Sequence, residues 1–178
     1  MGNLLRITAV ILCLVAGAAC STSDDRGETA SQCSADFDLE SRAEPLGSAI
    51  ELRRSIRERA AQPGTYSLRT LTEAAGWNDQ WDRVVIASSG LSAEKLNSAA
   101  NLPGYCWSNL PDSGFDRPID NFYVFITGPT PTQVIRATQG SELFRGVRSG
   151  DVLGPESRFQ SVQPPAQLQK PYLELTQG

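Results

Sequence analysis

The chain has 178 residues, 40% of them hydrophobic, with 16 Lys+Arg against 20 Asp+Glu for a formal net charge of −4. That acidic balance, with no basic patch, excludes an electrostatic footprint for nucleic acid. The chain contains no histidine, which removes the commonest general base and the commonest metal ligand together.

The first six residues carry one basic side chain, Arg6, and residues 7–19 carry no charge and are dominated by Leu, Val, Ile and Ala. A short positive region, an apolar stretch and small residues before a polar break form the pattern of a secretory signal. The run falls short of the ~20 apolar residues that a membrane-spanning helix needs, and Ser21-Thr22-Ser23-Asp24-Asp25-Arg26 adds no stop-transfer pattern. Myristoylation after Met1-Gly2 is excluded, because that signal wants Ser or Thr where the chain has Arg6.

Gly17-Ala18-Ala19-Cys20 resembles the lipobox of bacterial lipoproteins, with Gly17 where Leu is usual. The resemblance covers the first 20 residues. It implies a signal peptide of residues 1–19, cleavage before Cys20, and a thioether-linked diacylglycerol with palmitate-class acyl chains on that cysteine. One acyl chain binds a membrane marginally, whereas two or three attach it stably. Cleavage would leave 159 of the 178 residues and take Lys+Arg from 16 to 15, for a net charge of about −5. A chain of that size holds one domain and removes roughly two thirds of its surface from water. No Lys/Arg cluster in the sequence would hold anionic lipid beyond the acyl anchor. Of the four cysteines, Cys13 would leave with the signal and Cys20 would carry lipid. A Cys33–Cys106 disulfide is then the default for an exported chain.

Residues 20–35 are small, polar or charged without apolar period, which predicts a flexible tether, followed by one domain over 36–178. The spacing of Leu46, Ile50, Leu52 and Ile56 predicts a long helix over 39–61, with Arg53, Arg54, Arg57 and Arg59 on a solvated face and Gln62-Pro63-Gly64 as its stop. Residues 65–71 read as a short strand or a turn of helix. Residues 81–88, with Val84-Val85-Ile86-Ala87, read as a strand buried on both faces. Ser92 caps a short helix whose inner face is Leu91, Leu96 and Ala99 or Ala100, ended by Pro103-Gly104. Asn121 to Thr127 is the strongest strand signal. It turns at Gly128-Pro129-Thr130-Pro131, a loop longer than two residues, into a partner strand over 132–138. Short strands are expected at 152–153, 158–162 and 172–175, with Pro164, Pro165 and Pro171 keeping that end on the surface.

Trp81-Asp82-Arg83-Val84-Val85-Ile86, a short loop, a helix opening at Ser92 and a Phe/Tyr-rich strand together resemble a group of uncharacterised bacterial lipoproteins over residues 67–138. The chain departs from that group at Ala87-Ser88-Ser89-Gly90, where aromatic and proline residues are usual. The resemblance implies a fold and no activity. The expected class is α+β, a small antiparallel or mixed sheet with the N-terminal long helix and the second short helix on one face.

No GxSxG elbow, Walker loop or GxGxxG is present, and acids with two cysteines make a poor zinc site. No cofactor or metal is expected. Asp79, Asp82, Asp112, Asp116 and Asp120, near Trp77, Trp81 and Trp107, are the one set with acid–base potential, the residue types of a hydrolase acting on envelope glycans. Turn chemistry explains such Asp residues more simply. Trp107 and Phe115 are candidate aromatic anchors for a partner. The expectation is therefore a non-catalytic binding module, lipid-anchored on the extracytoplasmic side of the cell membrane, with an envelope protein as possible partner. A structural envelope protein is the alternative.

Overall fold

In the computed structural model, residues 33–110, 120–165 and 170–176 are described, and all lie in one compact unit, Ser31–Gly178. In chain order the elements are β1 (Ala35–Asp38), α1 (Ala49–Ala60), β2 (Thr65–Ser67), α2 (Leu68–Ala74), β3 (Arg83–Ser88), α3 (Ala93–Ala100) and β4 (Tyr105–Ser108). They continue with β5 (Asp120–Thr127), β6 (Thr130–Thr138), β7 (Val152–Leu153), β8 (Arg158–Val162) and β9 (Tyr172–Leu175). The class is α+β, as expected. The described strands form three sheets rather than one: β1-β4, β2-β8-β9 and β6-β5-β3-β7.

The four-stranded antiparallel sheet is the centre of the unit, because its inner strands are apolar at successive positions. Side chains of a strand alternate between faces, so a run such as Val84-Val85-Ile86-Ala87 serves two cores. Val84, Ile86, Tyr123, Phe125, Ile135 and Ala137 face one cluster with Leu52, Ile56 and Ala60 of α1, Leu68 and Leu71 of α2, and Phe159 and Leu173 of the β2-β8-β9 sheet. Val85, Ala87, Phe122, Val124, Ile126 and Val134 face the other, with Leu96 and Ala100 of α3 and Trp107 of β4. The helices therefore lie on both faces, not on one. A central sheet apolar on both sides needs cover on both.

α1 is shorter than the periodicity over 39–61 suggests. Its buried stripe is Leu52, Ser55, Ile56 and Ala60, whereas Ile50 is 67% exposed. Residues 39–48 are held out of the helix by local bonds and by Gly47. The Asp38 carboxylate accepts from the Glu40 N–H at 2.8 Å, and the buried amide of Gln133 ties down the Leu46 N–H (3.0 Å) and the Gly47 carbonyl (2.9 Å). Gly47 has φ +150°, and a Cβ there would lie 2.4 Å from Trp77. Glu44 accepts from the Ala49 N–H at 3.0 Å, so the helix opens five residues after the Glu that holds its first N–H.

Other boundaries follow from identifiable contacts. Ser67 caps α2, its Oγ accepting from the Thr70 N–H at 3.1 Å, and Ser92 caps α3 through the Lys95 N–H at 3.3 Å. α3 stops at Asn101, left-handed at φ 53°, before Pro103 is reached. The β5–β6 turn is tight: Thr127 pairs with Thr130 around Gly128-Pro129, and a bulge between Phe125 and Ile126 takes up the extra residue. The expected longer loop is the bulge misread, because a register shift leaves no mark on composition. β1 is stapled to β4 by the Cys33–Cys106 disulfide, with Cα atoms 5.5 Å apart across 73 residues.

The Trp81-Asp82-Arg83 stretch is a structural joint. Trp81 stands edge-on to Phe125, ring centroids 5.4 Å apart. The Arg83 guanidinium donates to the Ala100 carbonyl at the end of α3 (2.7 Å) and to the Gly128 carbonyl (2.9 Å), and Asp82 accepts from the Gly128 N–H at 2.5 Å. Asp82 and Arg83 are also paired with each other. A strand opening with this triplet thus ties helix and hairpin turn together.

Candidate functional site

A groove of about 550 Å³ runs between α1, the 140–146 loop and the start of β9. Its floor is Ile56, Leu143 and Phe144, all buried. Its walls carry Arg53, Arg57, Arg145 and Lys170 beside a single carboxylate, Glu142. Arg53 and Arg57 sit one helical turn apart and share a face of α1. Arg54 and Arg59 point elsewhere, to Glu51 at 2.8 Å and to the Tyr66 ring at 5.5 Å.

The loop that closes the groove is fixed at three points. The Leu143 N–H donates to the Tyr123 hydroxyl at 3.2 Å. Arg145 exchanges backbone bonds with β9, its N–H to the Leu173 carbonyl and its carbonyl to the Leu175 N–H, each 2.9 Å. Its guanidinium lies 4.0 Å over the Tyr172 ring, a cation–π contact. Arg53 reaches across from α1 to the Arg136 carbonyl at 2.5 Å and the Ser141 carbonyl at 3.3 Å. It thereby covers part of the β6 edge, a common way to blunt an open strand.

Among the described residues no carboxylate lies in ion-pair contact with Arg53, Arg57, Arg145 or Lys170; the ion pairs present use Arg54, Arg69, Arg83 and Arg136. Burial lowers the pKa of Arg53; the nearby Tyr123 opposes this and the like charge of Arg57 adds to it. Glu142 is engaged locally, accepting from the Gly140 N–H at 2.9 Å. The groove is a cationic surface in an acidic chain.

Beneath it, burial pushes the Tyr123 phenol above its ordinary value of 10.0. The unfolded chain ionises this group near 10 while the folded one keeps its proton, so the unfolded state binds fewer protons and stability falls as pH rises above about 10. A thermal midpoint that declines above that pH is expected, with a shallower decline for Tyr123→Phe. Equal slopes for the two proteins would refute this.

The sequence candidates are distributed as follows. Cys33 and Cys106 are bonded to each other. Trp107 is only 8% exposed, and its indole N–H donates to Asn97 Oδ1 at 2.7 Å. It is a core residue and not a surface anchor, because β4 packs its side chain into the cluster with Leu96, Ala100, Phe122 and Val124. Cys20, Phe115, Asp112 and Asp116 lie outside the described residues. Asp79 is exposed, and Asp120 pairs with Arg136 at 2.7 Å. Asp82 adjoins Arg83, which pairs with Ile126, six residues along β5 from Asp120. The two carboxylates are therefore about 20 Å apart at ~3.4 Å per residue, far beyond the ~5–9.5 Å that glycoside hydrolysis needs. Trp77 and Trp81 pack on Phe125 in the core.

The groove cations escaped sequence reasoning because they stand at positions 53, 57, 145 and 170, and only the Arg53/Arg57 spacing was visible. Among the described residues no cluster of three or more His, Cys, Asp or Glu is placed to hold a metal ion, and no helix is long and apolar enough to cross a membrane. Comparison of the chain with known protein families, curated proteins and solved structures found no match in any of the three.

Proposed function

We propose that this protein is a lipoprotein of the cell envelope, acylated on Cys20 and held on the extracytoplasmic side of the cell membrane, and that its globular unit is a non-catalytic binding module. The anchor is supported by the apolar segment ending in Gly17-Ala18-Ala19-Cys20 and by the polar tether after it. The binding role rests on one observation: four cations line a groove without carboxylate partners among the described residues, in a chain whose acids outnumber its bases. Unpaired like charges repel one another, so their grouping is a cost to the fold that an anionic ligand would offset. Asp82 and Asp120 stand at opposite ends of β5, which favours binding over the glycan-hydrolase reading.

The anchor is tested by intact mass and membrane fractionation of the expressed full-length protein beside Cys20→Ala. The expected wild-type product begins at Cys20, carries a diacylglycerol mass and sediments with membranes, and the variant loses the lipid. A soluble, unmodified wild-type product would overturn the assignment.

A further inference from the structure

We infer that the groove between α1 and the 140–146 loop is a site for a phosphate group, carried either by a soluble phosphate ester or by an anionic lipid headgroup; this rests on the binding-module reading and gives its ligand a chemistry. Three observations carry it. First, the local charge is unbalanced by more than one unit: among the described residues, Arg53, Arg57, Arg145 and Lys170 face only Glu142. One carboxylate ligand would offset a single charge, whereas a phosphomonoester carries about −1.5 to −2 and presents three acceptor oxygens. Guanidinium forks beside an ammonium are the donors that suit it.

Second, two of the cations are already held in place. Arg53 is fixed by the Arg136 and Ser141 carbonyls, and Arg145 is fixed through its backbone on β9 and its side chain on Tyr172. Little side-chain freedom then remains to be lost on binding. Third, the floor of Ile56, Leu143 and Phe144 is apolar, which strengthens charge–charge attraction above it. At about 550 Å³, the groove has room for a phosphate together with the group it is attached to.

The arginines at 53, 54, 57 and 59 read as a solvated helix face, so a site for anionic lipid was not expected; folding assembles one from three distant segments. The test is isothermal titration of the full-length protein in neutral detergent at low ionic strength. The probes are inorganic phosphate, glycerol 3-phosphate, a short-chain phosphatidylglycerol and acetate. Saturable binding of phosphate is expected, weakened about tenfold or more by Arg57→Ala or by Lys170→Ala. Both residues are exposed, so melting should not fall. Arg54→Ala, whose side chain pairs with Glu51 outside the groove, should bind as wild type.

Tighter binding of glycerol 3-phosphate than of the lipid supports a soluble ester as the source, and the reverse order supports a headgroup. Acetate binding in place of phosphate overturns the phosphate assignment while the groove stands as a binding site. If no probe binds, or if Arg57→Ala and Lys170→Ala leave phosphate binding unchanged, the groove is not an anion site.

Discussion

Trp107→Ala is expected to lower the unfolding free energy by about 3–5 kcal/mol, a fall in melting temperature of roughly 10 °C for a chain of this size. The indole is buried among Leu96, Ala100, Phe122 and Val124. It has Tyr105 at 5.5 Å and Phe37 edge-on at 6.0 Å between ring centroids. Removing it empties a large volume between the central sheet and the β1–β4 pair, which the disulfide keeps from collapsing freely. It also strips Asn97 Oδ1 of its donor, and a half-buried acceptor left unmatched adds about 1 kcal/mol or more. Trp107→Phe keeps an aromatic ring but loses the N–H together with part of the volume; a fall of about half the size is expected. The readout is thermal or denaturant unfolding followed by circular dichroism. An unchanged midpoint for Trp107→Ala would place the indole at the surface and restore its reading as a partner anchor.

Breaking the Cys33–Cys106 bond is the second large effect. The bridge closes 73 residues, for which the chain-entropy account gives up to about 4 kcal/mol, with measured values often smaller. The structural consequence should be local before it is global. β1 is four residues long with alternating exposure, and its parallel pairing to β4 sets Asp36 opposite Cys106. A parallel pair this short has little to hold it once the bridge is cut. A Cys33→Ser, Cys106→Ser variant is therefore expected to unfold at a lower denaturant midpoint. The amides of β1 should exchange faster than those of β3 and β5. Reductant should shift wild type to the variant's midpoint and leave the variant where it is. A wild-type midpoint indifferent to reductant would show that the bridge contributes nothing to stability.

The elements read correctly from the sequence are those whose signal is local. Val84-Val85-Ile86-Ala87 and Asn121 to Thr127 are apolar or β-branched at successive positions, and the structure buries both strands on two faces. Ser92 caps α3 through a bond to a residue three positions on. The short strands at 152–153, 158–162 and 172–175 stand where turn residues and apolar pairs mark them. The failures have a common cause in long-range contacts. Leu46 and Ile50 fit a helical period, yet Gln133, 87 residues from Leu46, draws the Leu46 backbone to β6 and Ile50 faces solvent. Ala-Asp-Phe-Asp of β1 alternates apolar and polar over only four residues, too short a run to mark a strand by itself, and it is a strand because β4 and a disulfide lie beside it.

The same division holds for the candidate site. By itself, the sequence determined the α+β character, the main strands and the absence of histidine chemistry, because each depends on composition or on neighbours a few residues apart. Only the tertiary structure decided that Trp107 is core, that Asp82 and Asp120 stand at opposite ends of a sheet, and that Arg53, Arg57, Arg145 and Lys170 share one groove. Charges interact through space, so their grouping is a property of how the 140–146 loop and β9 return to α1. No periodicity along the chain encodes that return.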